Sequence, residues 1–188
     1  HTRYWRDWSS DVCSSDLLNK SSGTMAYLKL MKLLYLADRE SMRLYGTSIS
    51  GDHMVSMPHG PVLSQTYNLI VGDYDEGGLW GRWIKDEADY QVALKVSELE
   101  RPDYDELSNA ELAVLDRVHE QFGSMGRFQI RDYTHDHCPE WQDPQGSSYP
   151  IHPKDLFLAV GKSVEEADAL VANLNEQQDL GRIHATIR

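Results

Sequence analysis

The chain has little cysteine: Cys13 and Cys138 are the only two in 188 residues. Two cysteines form neither a disulfide framework nor a four-cysteine zinc site, and such sparing use fits a reducing cytoplasm. No apolar run approaches the ~20 residues that a membrane-spanning helix needs. No basic start, apolar centre and small-residue cleavage site combine into a signal peptide. Positive charge is scarce too, with 18 lysines and arginines against 30 aspartates and glutamates, a net charge of −12. Such a surface repels phosphate backbones, which argues against a general nucleic-acid role while leaving room for a local basic patch. It also suits steering towards a basic partner. A phosphate loop, a dinucleotide glycine pattern and a nucleophile elbow are all missing.

What is present falls into two unequal parts. His1 to Leu17 bunches Tyr4, Trp5 and Trp8 and then runs through serine and aspartate with no helical or strand period. It resembles a translated sequencing-adapter fragment. Residues 1–17 are therefore expected to be foreign or disordered sequence that buries no face, and 18–188 to form the folded domain. Taking away Arg3 and Arg6 with Asp7, Asp11 and Asp16 leaves a charge of −11, so the electrostatic argument survives.

From Met25 to Tyr45 the apolar residues Leu28, Met31, Leu34 and Met42 follow helical spacing, with Leu30, Leu33, Ala37 and Leu44 widening the face and Gly46 as the stop. Thr47 to Met57 reads as extended. Pro58 and Pro61 bracket a turn at His59-Gly60, and a helix burying Val62, Leu63, Tyr67, Leu69 and Ile70 is expected to start at Pro61, since proline suits a first helical turn. Leu79–Lys85 and Tyr90–Val96 are expected to pair as a hairpin, the second with clean alternation. Ser97 to Leu107 reads as a polar linker. Ser108-Asn109-Ala110-Glu111 and Ser163-Val164-Glu165-Glu166 are capping boxes that open helices closed by Gly123 and Gly181. Shorter helices are expected at 128–135 and 153–160, with an irregular loop between. The fold class that follows is mainly α with a small antiparallel hairpin or sheet, one compact helical α+β domain.

Chemistry concentrates only at Thr134-His135-Asp136-His137-Cys138. Histidine, cysteine and carboxylate together could serve a metal-dependent enzyme, with His53, His59, His119 or His152 completing the set. Adjacent residues on one element do not converge on a point, so a helix end followed by a loop is the better reading. Cys138 has no orienting third group and reads as a small buried thiol rather than a nucleophile. Trp80, Trp83, Tyr90 and Tyr104 could stack on bases but lack interleaved cations, so packing or protein contact is favoured. No cofactor, metal or catalytic residue is assigned.

The segment Leu30-Met31-Lys32-Leu33-Leu34-Tyr35-Leu36-Ala37, then Leu44-Tyr45-Gly46, then His59-Gly60-Pro61-Val62 with Tyr67, resembles the Panacea domain family of SocA-like antitoxins and phage-associated proteins. The likeness is strongest over residues 25–70 and looser to about 160. It departs at Met57-Pro58-His59, where many relatives carry an aromatic residue. The resemblance implies a bacterial or phage cytoplasmic antitoxin, not an enzyme, that neutralises a cognate toxin, encoded next door, by direct protein contact. A proteolytic adaptor working with protease machinery, or a phage-associated regulator, is the alternative. The motif itself suits a turn, glycine freeing one backbone angle and proline fixing the next. Tyr35, Arg39, His59, Gly60, Pro61, Val62 and Tyr67 are the candidate protein-binding or motif residues, with exposed Tyr67, His59 or Arg39 as contacts because tyrosine and arginine anchor interfaces.

Overall fold

A 19-residue helix, α2 (Tyr27–Tyr45), is the axis of the molecule. Its apolar face is wide enough that Leu30, Leu33, Leu34, Tyr35 and Ala37 are all buried. Ala26 offers no side-chain cap at its start; instead the Tyr27 amide donates to the Tyr90 carbonyl, borrowed from a distant turn. Gly46 ends the helix at φ +76°, its amide donating to Met42 O. This computed structural model describes residues 9–72, 79–95 and 107–186.

Before α2 come α1 (Ser9–Lys20) and β1 (Thr24–Ala26); after it come β2 (Met54–Met57), β3 (Gly60–Leu63) and α3 (Ser64–Ile70). Then follow α4 (Leu79–Trp83), β4 (Ile84–Glu87), β5 (Gln91–Leu94), α5 (Asn109–Phe122) and α6 (Arg127–His137). The chain finishes with β6 (Tyr149–Pro150), α7 (Pro153–Ala159) and α8 (Val164–Thr186). Among the described residues the strands form two three-stranded antiparallel sheets, ordered β1-β5-β4 and β3-β2-β6. α2 lies against α1, α5, α6 and β3, and one contiguous apolar core runs from Val12 through Leu115 to Ala167. The architecture is mainly helical α+β, as the periodicity implies.

Several expectations need correcting. Residues 9–17 do bury a face: they belong to α1, and Val12, Cys13 and Leu17 sit in the core. The fit is poor in polar terms, since among the described residues the buried Ser14 and Ser15 hydroxyls find no hydrogen-bond partner. No helix starts at Pro61. Gly60–Leu63 pairs with β2, Ser56 opposite Pro61, on a sheet edge where a missing amide costs nothing. The helix begins at Ser64, and its free amides at Gln65 and Thr66 are capped by Asp52 from across the loop, at 2.9 and 2.8 Å. Leu79–Trp83 is helical rather than extended, so the hairpin is shorter, β4 and β5 joined by Ala88-Asp89-Tyr90. Gly181 does not close α8, which continues to Thr186. Both capping boxes form, Ser108 with Glu111 and Ser163 with Glu166. The 97–106 linker, Val96 and Tyr104 lie outside the described residues.

Candidate functional site

The turn between β2 and β3 faces the middle of α2. Gly60 adopts φ +92°, and a side chain there would have no room: a Cβ would stand 2.9 Å from Lys32 Nζ, 2.9 Å from Thr134 Oγ1 and 3.1 Å from His135 Nε2. Pro61 contributes its carbonyl, which accepts a 2.7 Å hydrogen bond from Lys32 Nζ. The motif thus places a lysine ammonium inside the protein. Lys32 is fully buried and has no acidic partner among the described residues. Burial pushes its pKa down to about 7, with Arg131 adding to the fall and Cys138 opposing it.

Above Lys32 opens a pocket of about 280 Å³. One wall is α2 and the residue before it, with Tyr27, Leu28 and Met31; a second is the turn and α3, with Met57, His59, Val62 and Tyr67. The third is the first turn of α6, with Arg127, Phe128 and Arg131. The two guanidinium groups lie 4.9 and 5.0 Å from the centre of the Phe128 ring, a cation–π arrangement that holds them in place. Arg131 also pairs with Asp132, at 2.6 Å. Tyr90 covers the rim, its ring 5.8 Å from that of Tyr27. Asp89 and Tyr90 both take positive φ, near +60°, a strained backbone for a bulky residue that holds this aromatic outward. Among the described residues lining the pocket, none is acidic, although the chain carries −12.

A second cluster lies further along α2. Glu140 is buried and accepts from Tyr35 Oη at 2.5 Å and from Arg39 Nε at 2.5 Å and Nη2 at 3.3 Å. The Tyr35 hydroxyl is held well above its usual pKa by burial and by the adjacent carboxylate. Next to it His135 stacks on Trp141, ring centres 4.1 Å apart, and Trp141 Nε1 donates to Met57 O at 3.0 Å. Asp38 is also buried, accepting from the amides of Ile49 and Ser50 and from the Ser50 hydroxyl; burial raises its pKa to about 6, against the lowering effect of those bonds. These are structural ties that fix the loop after α2 and the end of α6.

The seven candidate residues therefore divide. Tyr35 and Arg39 meet on Glu140, and Gly60, Pro61 and Val62 are buried scaffold. His59 is exposed and Tyr67 half-buried, and both line the pocket. Lys32, Arg127, Phe128 and Arg131 were not singled out from the sequence, whereas Tyr90 was, as a residue for packing or protein contact. Of those four, Lys32 left a readable signal, a cation inside the stripe Met31, Leu34, Tyr35 that the helix buries. The His135–Cys138 string does not assemble a metal centre: among the described residues no three histidines, cysteines or carboxylates converge. Burial pushes the Cys138 thiol up to about 12, so it is not a ready nucleophile. No helix among the described residues is long and apolar enough to cross a membrane.

The family model described as antitoxin SocA-like, Panacea domain, matches residues 30–142, more than half of the chain, and the chain belongs to that family. The matched span runs from α2 to just beyond α6 and contains most of the pocket. No curated protein and no solved structure matches.

Proposed function

We propose that this member of the SocA-like Panacea family is an antitoxin that neutralises a cognate toxin by direct protein contact, without catalysis, in the cytoplasm of a bacterium or within a phage-associated locus. Family membership carries the reading. The distribution of side chains supports it: the motif is buried scaffold, while the face it shapes presents Tyr90, 71% exposed, and Phe128, 52% exposed, beside His59, Arg127 and Arg131. Aromatic and arginine residues gathered round a depression are what interface hot spots are made of. The same reading takes residues 18–188 as the antitoxin-like unit and 1–17 as foreign to it, which the unpartnered Ser14 and Ser15 hydroxyls support.

The test is co-expression with the product of the adjacent gene. The toxin is expected to arrest growth alone, to be tolerated with this chain, and to co-purify with it. Phe128→Ala with Arg127→Glu, both away from the core, should abolish rescue while the protein stays folded. A harmless neighbour that does not co-purify refutes the reading. Recovery of a protease with the pair would move it to a proteolytic adaptor.

A further inference from the structure

We infer that the pocket between α2, the β2–β3 turn and α6 binds a single carboxylate carried on an apolar body about the size of one ring. The inference rests on the antitoxin reading for the source of that carboxylate, not for its chemistry.

Three observations converge. The first is charge. Lys32, buried at the floor, and Arg127 and Arg131 in the wall lie round one cavity with no acidic residue in its lining among the described residues; Arg131 already pairs with Asp132, while Lys32 has no such partner there. A fully buried ammonium with one carbonyl acceptor is costly, and an arriving anion would offset that cost. The second is shape. A volume of about 280 Å³ is below the usual span for drug-sized or nucleotide ligands and fits a small acid or one or two side chains. The third is lining. Met31, Val62, Tyr67 and Phe128 give apolar walls between the cationic floor and the aromatic rim, which suits an organic acid over a bare inorganic ion. A free organic acid and an acidic residue of a partner chain offer the same chemistry.

The probe is 4-hydroxyphenylacetate, with its neutral amide as control, titrated calorimetrically into the full chain. One saturable site is expected, with the amide about tenfold weaker, the usual worth of a charge-assisted hydrogen bond. Lys32→Met and, separately, the exterior substitution Arg127→Gln should each weaken the acid by about tenfold and leave the amide unchanged. At pH 8 binding should take up a proton, seen by repeating the titration in buffers of different ionisation heat, because Lys32 must be charged to hold the anion. Affinity should fall from pH 7 to pH 9. Other charged or titratable groups near Lys32 are His59 on the turn, Arg127, Arg131 and His135 on α6, and Cys138 just beyond it. The Cys138 thiol stays neutral across that window, and repeating the titration on a His59→Gln background keeps the test on Lys32.

With the cognate toxin bound, loss of acid binding assigns the carboxylate to the toxin, and unchanged binding assigns it to a free organic acid. No saturable binding up to about 10 mM overturns the inference. So does equal binding of acid and amide, or binding unaffected by both substitutions. The chain-alone titration can fail while co-purification succeeds, so the two readings fall separately.

Discussion

Replacing Lys32 by methionine should make the stability of this protein less dependent on pH. The side chains are of similar length, so the perturbation is the loss of the ammonium and its hydrogen bond to Pro61 O. In the folded chain Lys32 ionises at about 7 rather than 10.5. Below pH 7 the whole cost of the buried charge is present, roughly 5 kcal/mol for a displacement of that size. Between about 7 and 10.5 the folded state binds fewer protons than the unfolded chain, so stability rises with pH. From pH 7 to pH 9 Lys32 alone should add about 2 kcal/mol. Methionine removes this while leaving the Pro61 carbonyl without its donor, a loss of about 1–3 kcal/mol. The variant should therefore equal or exceed wild type at pH 7 and lose that advantage by pH 9. Urea unfolding followed by tryptophan fluorescence at both pH values measures the double difference, in which every other titrating group cancels. Equal pH responses of the two proteins, within about 0.5 kcal/mol, would refute the argument that Lys32 is buried without charge compensation.

Three further outcomes can be checked by the same unfolding assay. Gly60→Ala should cost about 2–4 kcal/mol, since the residue holds φ +92° and its new methyl would press on Lys32 Nζ and Thr134 Oγ1; a loss under about 0.5 kcal/mol would mean the turn is not built as described. Glu140→Gln should cost about 2–4 kcal/mol by leaving Arg39 half-buried without its counter-charge, and much less in an Arg39→Met background. Ser14→Ala and Ser15→Ala should each stabilise the chain by about 1 kcal/mol, because each removes a buried hydroxyl without a partner; destabilisation by either would show that α1 is better satisfied than its geometry implies.

The parts of the fold that could be read from sequence are those whose cause is local. Leu30, Leu33, Leu34 and Ala37 repeat at helical spacing, Gly46 supplies the left-handed stop, and each serine–glutamate pair meets its own amides within one turn. Where a residue suits two local structures, only a distant partner decides. Pro61 serves a helix start or a sheet edge equally well, and pairing of Gly60–Leu63 with Met54–Met57 settled it. Leu79–Trp83 is too short for periodicity to separate helix from strand. Gly181 costs a helix about 1 kcal/mol, too little to end one of 23 residues. Residues 9–17 show no period, yet Val12, Cys13 and Leu17 still bury, because packing against α2 tolerates polar neighbours that a pattern search rejects. The pocket was least legible of all. It joins residues near 30, 60 and 130, and separation along the chain leaves no local trace of it.

The division between buried motif and open rim bears on how such a surface can change partners. Gly60 and Pro61 act together with Lys32: one lacks the side chain that would collide with the ammonium, the other offers the carbonyl that accepts from it. Gly60 has no room for a side chain while the ammonium and Thr134 stand beside it, so the turn and the cation at the floor are tied to each other. The rim is different. His59, Tyr90 and Phe128 are exposed and stand outside the buried core cluster. Substitution there changes shape and charge at little cost in stability. On the antitoxin reading, the floor supplies the interaction that any acidic ligand shares, and the rim decides which toxin brings one.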